Sequence, residues 1–185
     1  MNLALFDFDG TVTARDTFVP FLRKAVRPRR AVVAGIVLSP IAVGYTCGWV
    51  SASTARLLYA RLGFQGEQAD SVCALGFQYA KDVLPGLLRR RALERMEWHK
   101  QQGDVVVVVS ASLDVYLKPW CKDRGVDLIC TELEERNGVL TGRYFHGDCS
   151  GAEKTRRILK QYPTDRYSVI YAYGDSREDR RSSSR

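Results

Sequence analysis

Four elements of the sequence carry residues suited to a single piece of chemistry. Asp7 and Asp9 close the apolar run Leu3-Ala4-Leu5-Phe6 and stand in Asp7-Phe8-Asp9-Gly10-Thr11. Ser110 follows the run Val105 to Val109, and Asp175 follows Val169-Ile170-Tyr171-Ala172-Tyr173-Gly174. Lys154 stands near the start of a predicted helix, where a long side chain reaches a neighbouring strand end. Ligands of open α/β sheets bind beyond the carboxyl ends of the strands, so polar residues ending three apolar strands are expected to converge on one site.

A phosphate ester fits this set. Phosphoryl transfer needs a nucleophile, neutralisation of spreading negative charge, and a proton donor for the leaving oxygen. A carboxylate serves as nucleophile by forming an aspartyl phosphate. It repels a phosphate unless cations intervene, and Mg²⁺ with Lys154 supplies two. Asp7 and Asp9 are two residues apart, so an ideal strand points both to one face. The chain must bend there for the two to take different roles, and Gly10 permits the bend. Taken singly, each element has a plainer use: a turn or cap for the aspartates and Ser110, a solvated helix position for Lys154. Taken together and in this order, they favour phosphate chemistry.

The elements that must position these residues are those of an α/β domain. Leu3 to Phe8, Val105 to Val109, Asp127 to Cys130 and Ser168 to Tyr173 are predicted strands. The unbroken valine run is the signature of a parallel strand covered on both faces. Leu113 to Arg124 is a predicted helix that Pro119 would kink or split. Ala152 to Gln161 is another, with Ile158 and Leu159 on its buried side. Glu132 to Phe145 holds Asn137-Gly138 between two strand-like arms, a hairpin signal. Alternating strands and helices predict a Rossmann-like parallel sheet core, formed by residues 1–13 and 103–185. Residues 14–102 have helical periodicity and read as a helical cap inserted after the first motif.

The chain has 185 residues, 45% hydrophobic and 26% charged, a globular composition. Its net charge of +7 suits an anionic substrate or an anionic surface. The basic residues lack interleaved aromatics or a reading module, so no nucleic acid partner is expected. Five cysteines, none two residues from another, argue against a disulfide framework or a zinc site. The start lacks a basic leader with a long apolar stretch, and a cytoplasmic location is expected. No pattern speaks to oligomeric state.

Ala31 to Ala55 contains no charged residue and follows Arg23-Lys24, Arg27 and Arg29-Arg30. About 20 apolar residues suffice to cross a bilayer. A single crossing would put Asp7 and the valine strand on opposite sides, where they could not share a sheet. The favoured reading is a helical pair buried within the insertion and broken near Pro40 and Gly44. The competing reading is a membrane-surface or re-entrant hairpin, a peripheral membrane contact through residues 23–55 with the arginines facing anionic lipid.

The motifs resemble the haloacid dehalogenase superfamily, in its phosphoserine-phosphatase-like branch. The resemblance rests on Asp7-Phe8-Asp9-Gly10-Thr11-Val12-Thr13, on Ser110-Ala111-Ser112, on Gly151-Ala152-Glu153-Lys154 and on Gly174-Asp175-Ser176-Arg177-Glu178-Asp179. It implies that Asp7 attacks phosphorus and that Asp9 protonates the leaving group and then activates water. It implies a Mg²⁺ held by Asp7, the Asp9 carbonyl and Asp175, with Asp179 in support. It further implies that Gly10, Thr11, Ser110, Ala111 and Lys154 bind the phosphoryl group. Nearby Mg²⁺ and Lys⁺ would favour an ionised Asp7 by charge attraction.

Asp16 stands where phosphoserine phosphatases place a longer acid that helps bind substrate. The basic and apolar start of the insertion looks like that of bacterial lipid-phosphate phosphatases acting on phosphatidylglycerophosphate. The substrate is therefore expected to be a small-molecule or lipid phosphate ester. After Asp179 the family continues with an apolar helix and further strand structure, whereas this sequence reads Arg180-Arg181-Ser182-Ser183-Ser184-Arg185. That departure reads as a truncation or a shifted reading frame, which would loosen Asp175 and Asp179 and weaken Mg²⁺ binding. The alternative function is a catalytically weak membrane-surface or binding protein on a phosphatase scaffold, and a phosphotransferase would share the same covalent step.

Overall fold

The computed structural model describes residues 1–174. Strand β1, Leu3–Asp7, is followed by a turn at Phe8–Val12 and then by six helices. These are α1 (Phe18–Ala25), α2 (Pro28–Val37), α3 (Ser39–Thr46), α4 (Ala52–Phe64), α5 (Ala69–Asp82) and α6 (Arg90–Gln101). The chain then returns to the sheet through β2 (Val105–Leu113), α7 (Asp114–Arg124) and β3 (Asp127–Thr131). A hairpin of β4 (Leu133–Arg136) and β5 (Val139–Tyr144) precedes α8 (Gly151–Gln161) and β6 (Ile170–Tyr173).

The main sheet is parallel, in the order β3-β2-β1-β6. The valine run of β2 is unbroken because both faces of the sheet are covered. Val106 and Val108 join Ala4, Phe6 and Phe8 in the core beneath α5 and α7. Val107 and Val109 join Leu3, Ile129, Cys149 and Ile158 on the opposite face, under α8. β2 runs on past Val109 to Leu113, so Ser110, Ala111 and Ser112 belong to the strand rather than to a loop after it. In the hairpin, Asn137 and Gly138 both take positive φ, 52° and 79°, the backbone of a tight two-residue turn.

Pro119 neither splits nor ends α7, which runs through it as one helix. Proline has no N–H, so the carbonyl of Val115, one turn earlier, loses its helical donor. Helix α5 packs against this point through Gly76. A Cβ there would lie 2.3 Å from the Val115 carbonyl oxygen, so only glycine permits the approach.

Two expectations fail. Residues 31–55 do not form a buried helical pair. The break falls at Leu38, between α2 and α3, and Leu38 and Ala34 are buried. Val32, Val33, Ile36, Val37, Val43, Tyr45 and Trp49 are exposed, Trp49 at 84%. A segment without charges still turns a face to solvent when too little packs against it. Among the described residues no helix is long and apolar enough to cross a membrane. In α8, Leu159 is exposed and Arg157 is buried beside Ile158. The Arg157 guanidinium is satisfied in place by Glu153 and by the carbonyls of Cys130, His146 and Gly147 at 2.7–2.9 Å. A buried charge needs such partners.

Candidate active site

β1 and β2 are hydrogen-bonded neighbours with Asp7 opposite Val109, which places Asp7 beside the start of the Ser110-Ala111-Ser112 segment. The chain leaves β1 through a wide turn closed by the Thr13 N–H donating to the Phe8 carbonyl at 2.9 Å. Inside it Asp9 is extended (ψ 123°) and Gly10 takes φ 81°. This is the bend the paired aspartates require. A side chain at Gly10 would be strained.

The two carboxylates therefore meet different surroundings. Asp7 Oδ1 accepts a hydrogen bond from Lys154 Nζ at 2.8 Å, an ion pair with both side chains largely shielded from water. Asp9 faces donors. Its Oδ1 accepts from the Thr17 N–H at 2.7 Å and from Thr17 Oγ1 at 2.6 Å. Its Oδ2 accepts from Ser112 Oγ at 2.6 Å and from Ser110 Oγ at 3.3 Å. Burial pushes the Asp9 carboxyl above the usual range; the hydrogen bonds from Ser112 and Thr17 oppose this without cancelling it. One carboxylate is thus paired with a cation, while the other is biased toward its protonated form.

A pocket of about 130 Å³ gathers Asp7, Asp9, Ser110, Ala111 and Lys154. Asp16, Phe18, Arg56, Ser112, Cys149 and Ser150 complete its lining. Gly10 and Thr11 are not part of that lining. Thr11 Oγ1 is buried and makes no hydrogen bond. Asp16 Oδ2 accepts from the Val19 N–H at 3.0 Å, so it also tethers the start of α1. Asp175 and Asp179 lie outside the described residues.

Sequence reasoning passed over Thr17, Ser112 and Arg56. Ser112 carried a readable signal, since it lies two residues from Ser110 on one strand and so shares its face. Thr17 and Arg56 carried none: each arrives through the packing of α1 and α4 over the sheet. Arg56 is held by Asp148 through two hydrogen bonds, at 3.0 and 2.7 Å. Asp148 lies in the loop that also brings Cys149 and Ser150 to the pocket.

The donor set suits Mg²⁺ as far as the described residues reach. Mg²⁺ takes oxygen ligands, and the Asp7 carboxylate and the Asp9 carbonyl are of that kind. Among the described residues no group of three or more His, Cys, Asp or Glu side chains forms a metal cluster. β6, paired with β1 from Leu3↔Ile170 to Phe6↔Tyr173, leads to the Gly174 end from which Asp175 follows.

The chain thus has a parallel sheet of this order, paired aspartates at the end of β1 and a lysine from α8 on Asp7, an arrangement that accords with a single family of hydrolases. The haloacid dehalogenase-like hydrolase family matches residues 4–182, and the chain belongs to it. Among curated relatives, it is 28% identical over 184 residues to Protein CicA of Caulobacter vibrioides, covering 96% of this chain and 79% of that protein. Among solved structures it resembles a protein of unknown function from Bordetella pertussis Tohama I. That match has a TM-score of 0.76 at 23% identity and covers 92% of this chain and 80% of the other. It also resembles a substrate-bound phosphoserine phosphatase, with a TM-score of 0.63 at 18% identity, over 98% of this chain and 80% of the other. The fold is thus that of the phosphoserine-phosphatase-like members of the family.

Proposed function

We propose that the chain is a Mg²⁺-dependent phosphatase that hydrolyses a phosphate monoester through an aspartyl phosphate on Asp7. The observation that carries this reading is the division of labour between the two aspartates: Asp7 against Lys154, Asp9 buried among hydroxyls. Asp7 attacks phosphorus as the ester P–O bond breaks, and Asp9 gives its proton to the leaving oxygen. The Asp9 carboxylate then takes a proton from water. That water attacks phosphorus, the Asp7–phosphorus bond breaks, and inorganic phosphate leaves. Ser110 Oγ, the Ala111 N–H and Lys154 hold the phosphoryl oxygens, with Gly10 and Thr11 shaping the turn beneath them. Asp7, the Asp9 carbonyl and Asp175, with Asp179 in support, would hold a Mg²⁺, which would supply charge neutralisation at the phosphoryl group. Residues 14–102 act as the cap that encloses the ester.

Incubation with a panel of phosphate esters and Mg²⁺ tests the proposal. Release of phosphate is expected, with Asp7→Asn abolishing it. Absence of release from every ester, or release untouched by Asp7→Asn, sinks it.

The exposed face of α2 and α3 supports a second property of the same molecule, peripheral contact with an anionic membrane. Val32, Val33, Ile36 and Val37 are exposed there on the helix that also carries Arg29, and Arg27, just before it, is exposed while pairing with Glu67. Apolar residues next to basic ones on a surface helix suit an anionic lipid interface.

A further inference from the structure

A second and larger cavity, about 590 Å³, lies among α1, α2, α3 and α4. That volume is in the range of small-molecule sites. Three residues, Asp16, Phe18 and Arg56, line both this cavity and the catalytic pocket. Two of the cavity's charged residues, Asp16 and Arg56, are thus at the junction. Beyond them Arg23 is the one further charged lining residue, and the rest of the wall is mostly apolar, with Leu22, Val26, Ala34 and Tyr59. Alanine and glycine occupy many of the lining positions, and the space opens to solvent on its α2–α3 side, where Ala31, Gly35 and Ala42 are exposed. At Gly35, which lines the cavity, an added Cβ would meet nothing within 4 Å.

The geometry points to a phosphate monoester with an apolar chain, its phosphate in the Asp7–Lys154 pocket and its chain in the cavity among α1–α4. This rests on the phosphatase reading for the identity of the head group. A short polar ester such as phosphoserine would use the first pocket and leave the second empty. An apolar chain uses both, because the charged end of the combined space faces the phosphate and the apolar part extends away from it. The chain gains by leaving water, and each buried methylene tightens binding by about fourfold.

The test uses non-hydrolysable alkylphosphonates, methyl, butyl and octyl, titrated calorimetrically into the full chain with Mg²⁺ present. Octylphosphonate is expected to bind at least about tenfold more tightly than butylphosphonate. Ala34→Phe, which fills the cavity from a buried position on α2, is expected to reduce octyl binding to the butyl level and leave methylphosphonate unchanged. Ala55→Phe, from a half-buried lining position on α4, provides an obstruction should the first variant not fold. Equal affinity along the series in the unaltered protein, or full octyl affinity in a folded, obstructed variant, overturns the inference. Phosphate release from methyl and octyl phosphate separates the two readings. Release with no preference for octyl removes the chain site and keeps the hydrolase. Chain-dependent phosphonate binding without release from either ester removes the hydrolase and keeps the chain site.

Discussion

Three hydroxyls and one amide converge on the Asp9 carboxylate, and burial still outweighs them. A carboxyl raised in this way holds its proton to higher pH than an exposed aspartate. In the general-acid role proposed for it, Asp9 would work below its pKa, so turnover should fall as pH rises through that value. Ser112 donates to the ionised form and lowers the pKa. In Ser112→Ala that support is lost, the proton is held more firmly, and the alkaline limb of the kcat profile should move to higher pH. A pH–rate profile checks this; an unmoved limb, or one displaced toward acid, contradicts the role given to Asp9. The same residue shows what the sequence makes legible at this scale. Asp7, Asp9, Ser110 and Lys154 could be found because each is a polar residue at the edge of an apolar run or beside a helix start. Thr17, which closes around Asp9, follows no such run and is placed by tertiary packing alone.

At the scale of elements, the contact between α5 and α7 depends on one missing methyl group. Pro119 strips a donor from the Val115 carbonyl, and Gly76 occupies the space against it. Gly76→Ala drives a Cβ into backbone that has no rotamer to change. Overpacking of this kind costs about 1–3 kcal/mol, and each kcal/mol lowers Tm by about 2–4 °C in a chain of this size. Gly35→Ala, where an added Cβ meets nothing, should instead gain several tenths of a kcal/mol from helix propensity. Thermal melts of the two variants should move in opposite directions. The strands and the hairpin were legible because valine runs and Asn137-Gly138 act locally. The fate of Leu159 and Arg157 was not, because periodicity gives a helix two apolar neighbours without saying which meets a partner. Arg157 is buried because four acceptors wait for it, three of them backbone carbonyls that no side-chain pattern announces.

For the whole molecule, the insertion between β1 and β2 is where sequence and structure part most. Residues 31–55 lack charge and so read as core, yet α2 and α3 have one buried edge and a broad exposed face. Hydrophobicity records a preference for leaving water and is silent on what will cover the surface. With Arg27 and Arg29 close by, co-sedimentation with anionic vesicles at low salt is expected to retain the protein. Each basic residue near such a surface is worth about 1 kcal/mol. Arg27→Glu with Arg29→Glu should therefore weaken retention by more than about tenfold, and raised salt should do the same to the unaltered chain. Retention indifferent to both changes would exclude the electrostatic part of this contact.

The order of the sheet also sets a timetable. β1 precedes both of its neighbours on the chain, and Leu3 pairs with Val105 and Ile170. The strand that carries Asp7 thus has no neighbour until six helices have been synthesised. Contacts so distant along the chain are slow to form, since loop closure must precede them. Leu3-Ala4-Leu5-Phe6 is meanwhile an unpaired apolar strand, the kind of segment that associates wrongly while it waits. Asp7 is made well before the strands that flank it and reaches its native surroundings only after them.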